Sequence, residues 1–594
     1  MMKSSLVCGL LIASGSLFAQ QYGMITVAGN ATTGWSGDGG PALNAQFNDP
    51  IRVALDSKGD ILLNDLGNNS IRIVSPDGSV NSVVGNGSPG FSGDGGSAVG
   101  AQLTSPQDIA VDSHDNLYIA DTGNRRIRIV SGGNIRTFAG TGAGGIQNDP
   151  LGDGGAATDA RFITPTGVAV DKAGNVYVSD IGNATVRKIT PDGVITRFAG
   201  TGFLSFGAFS GEGGPATQAL LGTPYSLTTD PAGNVYIVDI GLGRLFRIGT
   251  DGNIHTVRTN FSAQNCAVDA AGNIYAADYS FNTVERITSN GTVLWIGGNG
   301  IAAYSGDGAP GTSGSMSLPY GVAVDGSGNV FVAEAGNAII RKLNPHPFSI
   351  GAISNAATIQ PFTAPPSGEG DATEPISPGE IIVLFGTGLG PDTLVSNNLG
   401  SDGKFGTSLA GTTVNVGGVN APIIYTSSTL VSVVVPYAVD GLSTADVYVT
   451  YQGNKSLVNT VQVAATAPGL FTLDSSGAGN ALAVNVSNAQ LNTPSNPASQ
   501  GDFLILYATG EGQTTPVGVD GQLAPSPTPI PTHSVAATVN GIPANVTYAG
   551  GAPGIVAGVM QVNLQIPNGV PPGAATVKLL INNVYSPAVT INVQ

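Results

Sequence analysis

Cysteine is almost missing from this chain. Only Cys8 and Cys266 occur, so a disulfide framework cannot hold the fold together. Basic residues are scarce too: 22 Lys and Arg stand against 39 Asp and Glu, a formal net charge of −17. That balance argues against a phosphate-backbone partner, which requires clustered Lys and Arg. Histidine is limited to His114, His255, His346 and His533. The first replaces a turn residue, the second lies in an outer strand, and the last two fall outside the repeated region, so they do not converge as zinc ligands. No Gly-x-Ser-x-Gly elbow, phosphate-cradling loop, paired-cysteine motif or EF-hand spacing is present. After residue 20 no apolar run is long enough to span a bilayer.

Turn formers are plentiful. Gly 87 and Pro 37 accompany 41% hydrophobic and only 10% charged residues. The hydrophobic share can supply cores, so the glycines and prolines mark tight turns, not disorder. The length implies several domains. Residues 1–20 read as a secretory leader: Lys3 is the positive start, Leu6–Phe18 the apolar run and Ala19 the small residue before the cut. Apolar residues follow Cys8, which is not the pattern of a lipid anchor. The mature chain then keeps one cysteine, Cys266, at a position filled by aliphatic residues elsewhere, and is expected to bury it.

The organising stretch is Pro165–Gly200. Val168, Val170, Val176 and Val178 alternate with small or polar neighbours, the period of a half-buried strand. Asp171 and Gly174 form a hairpin turn between them, and two further strands follow around Asp192-Gly193. The unit recurs. Its first acid is Asp56, Asp112, Asp171, Asp230, Asp269 and Asp325; nine residues later come Asp65, Asp121, Asp180, Asp239, Asp278 and Glu334. The spacing between copies varies, as it does when insertions fall in loops on one face. The last copy lacks its fourth strand, while Met24–Gly29 matches the fourth strand Asn134–Gly140. The N-terminal strand is therefore expected to complete the last sheet and remove its open edge.

The pattern P-x-G-V-A-V-D-x-x-G-N-V-Y-V-x-D-x-x-N-x-x-V-R-K-I resembles the NHL repeat. The S-G-D-G-G-P-A segments between copies resemble those of bacterial secreted NHL proteins and of the NHL part of teneurins. The resemblance covers residues 24–345 and implies a six-bladed β-propeller used as a binding platform; some relatives are enzymes. Repeats four and five depart from it, with Leu242 and Phe281 in place of Asn and with Arg247 and Arg286 one place late.

After Pro345 the composition changes. Residues 347–373 read as a linker, and residues 346–594 hold only Lys404, Lys455 and Lys578 as Lys or Arg. Ser377–Gly388 echoes Ser499–Gly510, and Thr413–Tyr425 echoes Ala536–Tyr548. The short β runs predict two sandwich modules, 374–465 and 466–594. They resemble the Ig-like C-terminal region of secreted proteins from soil bacteria. The fold class is all-β: a six-bladed propeller over 21–346 followed by two Ig-like sandwiches.

Two sets of acids are the candidate sites. Asp65, Asp121, Asp180, Asp239, Asp278 and Glu334 are expected to ring one mouth of a central channel. Clustered carboxylates suit a hard cation such as Ca²⁺, but pairs such as Asp121/Asn124 better suit the tying of a turn. Asp38, Asp94, Asp153, Glu212 and Asp307 lie in the inter-repeat loops on the same face. Exposed loops on a rigid scaffold are where partners bind. Arg72, Arg128, Arg187 and Arg341 are expected to bond carboxylates or carbonyls between blades. Of the residues four before each first acid, Arg52 and Asp108 suit an ion pair.

The expected function is a secreted, non-catalytic binding or adhesion protein. It would act as a monomer, with an extracellular protein or glycan as partner, no cofactor, no nucleic acid and no membrane span. The alternative is a metal-dependent lyase or lactonase with its site in the channel.

Overall fold

The computed structural model describes residues 22–145, 151–205, 207–346, 348–358 and 375–594. The expected leader lies outside these residues. One compact unit is Tyr22–Pro345 and a second contains His346–Gln594. Strands dominate both, and no α-helix occurs among the described residues.

The repeat unit consists of six antiparallel sheets with four main strands each. The third shows how the sequence makes them. Val168 and Val178 alternate with neighbours that pack on the sheet's other face, so Val168, Val176 and Val178 bury against the second sheet while Ala169 and Tyr177 bury against the fourth. Asp171 ends the hairpin by accepting the N–H groups of Ala173 and Asn175 at 2.9 and 2.8 Å. Gly174 takes φ +79° there, a conformation an L side chain resists.

Each sheet buries both faces, and each core is shared by two sheets. Leu62, Ile71 and Val84 of the first meet Ile109 and Ile119 of the second. The series continues to the pair formed by the sixth and first, where Phe331, Ala333 and Ile340 meet Val53, Ile61 and Leu63. The innermost strand Pro319–Val324 also lies against Pro50–Leu55, so the last sheet touches the first. The sixth sheet takes its outer strand from the other end of the chain. Tyr22–Ala28 pairs antiparallel with Ile339–Pro345, Met24 opposite Leu343, and Met24 is fully buried.

The C-terminal unit begins earlier than its composition suggests. Ser349–Asn355, expected in a linker, is a strand paired with Ile381–Thr387. Its Ile350 and Ile353 enter the core beside Ile382 and Val431, and this burial outweighs the local turn-rich composition. Residues 359–373 of that expected linker lie outside the described residues. Two layers enclose this first core: one built on Ile381–Thr387 and Leu430–Val434, the other on Thr412–Val416 and Thr444–Tyr451. A second core gathers Leu504, Val562, Val577 and Ile591. There the ten-residue strand Ile542–Gly551 pairs with both Met560–Gln565 and Val535–Val539, joining two layers into one folded sheet. A third cluster, with Ile381, Tyr425, Phe471 and Val556, fuses the halves. Glu511 is buried here beside Tyr437. One of its oxygens has no partner, and burial pushes its pKa up to about 7.

Two outcomes follow. Deleting residues 22–28 strips the sixth sheet of its outer strand and of the buried Tyr22 and Met24 side chains. At ~1.5–3 kcal/mol for each such side chain, the loss should be about 3–6 kcal/mol or more, read as a lower melting point of the repeat unit. Glu511 binds its proton more tightly when folded than at its ordinary value of 4.5. Its contribution to stability should therefore fall as pH rises from 4.5 to about 7 and stay level above that. At ~1.4 kcal/mol per pH unit, Glu511→Gln should recover about 3 kcal/mol at pH 8 and nothing at pH 4, measured by denaturant unfolding at both.

Candidate functional site

The second strand of each repeat ends on an acid that folds back beneath the chain entering the innermost strand. Asp65 accepts the Asn48 N–H at 2.6 Å and the Asn68 amide at 2.8 Å. Asp180 accepts the N–H groups of Ile163 and Thr164 at 2.9 and 2.7 Å, and Asp239 those of Gly222 and Thr223 at 2.7 and 2.8 Å. Asp121 holds Thr104 and Asn124, Glu334 holds Ser317 and Asn337, and Asp278 bonds Ser262, Ser280 and Phe281. Five of the six acids are wholly buried and Asp278 is 8% exposed. They tie turns, the second of the two roles expected of such Asp/Asn pairs. The entering loop needs acceptors for its N–H groups and covers the carboxylates that supply them. Burial raises Asp65 to about 6 and Glu334 to about 7, against the pull of Arg72 and Arg341.

The loop acids are engaged as well. Arg72, fully buried, reaches Asp38 at 2.5 Å and Asp65 at 3.7 Å. Arg128 does the same with Asp94 at 2.6 Å and Asp121 at 3.4 Å. Arg187 holds Asp153 at 2.6 Å, and Arg341 bridges Asp307 at 3.2 Å and Glu334 at 3.4 Å. One guanidinium therefore ties an inter-repeat loop to a turn, and both sets of acids share one face. Asp38, Asp94 and Asp307 are still about 40% exposed, so each is a partner of a buried cation and part of the surface. Glu212 differs. The equivalent buried position in its sheet is Phe246, and Glu212 bonds Thr256 instead. In the fifth sheet that position is Glu285, paired with Arg258 at 2.6 Å.

An aromatic residue precedes three of the Ser-Gly-Asp loops: Trp35, Phe91 and Tyr304. Phe91 covers Arg128 at 4.8 Å and Tyr304 covers Arg341 at 4.7 Å. All three remain exposed, at 42%, 41% and 48%.

The axis of the sheets is knitted closed. Arg52 pairs with Asp108 at 3.3 Å, and Asp108 accepts the Val168 N–H at 3.3 Å. Asn265 donates to Ser226 at 2.8 Å and accepts the Val322 N–H at 2.9 Å. Glycines complete the circuit. A Cβ on Gly321 would stand 2.5 Å from the Ile51 carbonyl, and one on Gly167 would stand 2.8 Å from the Tyr225 carbonyl. The innermost strands meet too closely there for a side chain. Among the described residues, no three His, Cys, Asp or Glu side chains stand together as a metal site. Cys266 is buried and held in its thiol form, its pKa raised to about 12 by burial.

Above this plug lies a cluster that the repeat spacing does not announce. The register shifts between Pro50/Arg52, Pro106/Asp108, Pro165/Gly167, Pro224/Ser226 and Pro319/Gly321. Each shift is a β-bulge, which re-aims the extra residue. Those residues are Ile51, Gln107, Thr166, Tyr225 and Tyr320. The Tyr225 hydroxyl meets the Gln107 side-chain carbonyl at 3.0 Å, joining sheets four and two across the axis. Tyr320 stacks on Tyr279 with centroids 5.3 Å apart and planes at 14°. The readable signal was a single variable residue after each repeated proline in an otherwise constant unit.

The bridging geometry makes an unequal prediction. Arg128→Ala strands Asp121 in the interior and should cost ~3–5 kcal/mol. Asp94→Ala leaves Arg128 paired with Asp121 and should cost only ~1–2 kcal/mol, because Asp94 is partly in solvent. Urea unfolding of both variants measures the difference; equal costs would contradict the bridge.

Comparison with known proteins agrees with the repeat. The teneurin NHL domain matches residues 130–208, an NHL repeat matches 103–130 and an IPT/TIG domain matches 358–465. Teneurin-1 of Gallus gallus is 34% identical over 145 residues, covering 22% of this chain and 5% of that protein. Teneurin-1 of Homo sapiens is 29% identical over 217 residues, covering 34% and 7%. The chain thus spans less than a tenth of the curated relatives it matches. A solved protein of unknown function from Bacteroides thetaiotaomicron has TM-score 0.39 at 20% identity, covering 55% of this chain and 76% of that one. Virginiamycin B lyase from Staphylococcus aureus has TM-score 0.33 at 15% identity, covering 50% and 95%. The chain carries teneurin-type NHL repeats followed by a TIG domain, in an all-β fold.

Proposed function

We propose that residues 22–345 close into one six-bladed NHL propeller, and that a secreted bacterial protein uses it as a non-catalytic platform for an extracellular protein or glycan. Two Ig-like sandwiches, 348–465 and 466–594, follow it. The chain acts as a monomer, and residues 1–20 are its export signal. The reading is carried by one observation: the buried polar side chains of the repeats are consumed in holding the scaffold. The strand-end acids serve turns, the arginines serve loops, and Arg52, Asp108, Ser226 and Asn265 plug the axis. Such a body offers recognition through what varies on its surface.

The platform is the face bearing Asp38, Asp94, Asp153, Glu212 and Asp307. Trp35, Phe91 and Tyr304 rise from it as exposed aromatics, the residue type that dominates interfaces. No helix of the described residues is long and apolar enough to cross a membrane.

The test is an array of extracellular protein domains and glycans probed with the full chain. A saturable ligand is expected, its affinity falling about tenfold or more in Trp35→Ala and Tyr304→Ala. Metal analysis of the same preparation should give well under one equivalent. A stoichiometric, chelator-removable ion would instead support a metal-dependent lyase or lactonase.

A further inference from the structure

The bulged residues converge on the axis at the end where the innermost strands begin. This is the same end as the strand-end acids, because Pro50 pairs with Asp65 and Pro319 with Glu334. Tyr225, Tyr279 and Tyr320 are all partly exposed there. Tyr225 lies over the Arg52 guanidinium at 5.4 Å and is braced by Gln107. Asp49 directly precedes Pro50, on the strand that Tyr320's own strand touches through Gly321. Asp49, Tyr225 and Tyr279 all act on the Tyr320 hydroxyl, which burial first and these neighbours next hold above its ordinary range.

The charges at this mouth do not balance. Arg52 is matched by Asp108 at 3.3 Å. Asp49 is exposed, and among the described residues its carboxylate has no hydrogen bond or ion pair. Its charge acts on Tyr320, which stacks on Tyr279, and tyrosine ring faces attract cations. The hydroxyls of Tyr279 and Tyr320 also have no partner among the described residues.

We infer that this mouth, formed by Asp49, Tyr225, Tyr279, Tyr320 and Gln107, is a binding site for an organic cation of the alkylammonium class. The tyrosines take its methylenes or methyls, and Asp49 takes its charge. A metal ion fits poorly, because one carboxylate among ring faces is not an oxygen cage. The inference rests on the reading of the repeat unit as a binding platform, but it uses the axis and not the loop face.

The experiment titrates the full chain with tetramethylammonium and with Nα-acetyl-lysine methylamide, by calorimetry and by the ring signals of labelled tyrosine. Nα-acetyl-norleucine methylamide and a methyl glucoside serve as neutral controls. Saturable binding of at least one cation is expected, with shifts at Tyr279 and Tyr320 and no binding of the controls. Asp49→Asn and Tyr320→Ala should each weaken it about tenfold or more, with the melting point retained. The preferred cation tells a free quaternary amine from a lysine side chain. Equal binding of the neutral controls, binding unchanged in Asp49→Asn, or no binding of either cation would overturn the assignment. Those results would leave ligand capture by Trp35 and Tyr304 untouched, so failure of this site is distinguishable from failure of the platform.

Discussion

A guanidinium with no exposed surface, held between two carboxylates, is the interaction on which the repeat unit depends. Arg72 shows it most plainly, joining Asp38 of a glycine-rich loop to Asp65 of a buried turn. A lone buried cation would be costly, and so would a lone buried acid. Together they make the loop part of the sheet. The loop in turn drops Phe47 into the core between sheets six and one. The same arrangement recurs with Arg128 and Arg341, so insertions that look like flexible glycine runs behave as fixed structure.

Much of the fold was legible because it is written as spacing. The nine-residue interval between acids equals a hairpin turn and the strand after it, and the N-terminal match to a fourth strand pointed to the pairing of Tyr22–Ala28 with Ile339–Pro345. The linker was misread at Ser349–Asn355, since a strand rich in Ser, Gly and Ala is identified only by its partner. The burial of the strand-end acids was unreadable for a related reason. Spacing puts Asp65 at the right end of the right strand, but whether water reaches it depends on the loop around Asn48, which arrives from elsewhere in the repeat.

The axial cluster was the least legible part. A β-bulge is an offset of backbone register, and no residue type marks it here: Ile51, Gln107, Thr166, Tyr225 and Tyr320 occupy equivalent positions. The contact between Tyr225 and Gln107 spans 118 residues and two non-adjacent sheets. Repeats four and five told more. The misplaced arginines at 247 and 286 coincide with the sheets where Phe246 and Glu285 replace the bridging guanidinium. A repeat protein can abandon a buried ion pair when packing or another pair covers the position.

The central claim is that the two ends of the repeat region are stitched into one continuous ring. Hydrogen exchange of the native chain tests it directly. The amides of Tyr22–Ala28 should exchange as slowly as those of Ile339–Pro345, in one cooperative opening shared with the first sheet. Fast exchange of Tyr22–Ala28 beside a still-protected Ile339–Pro345 would contradict the closed ring.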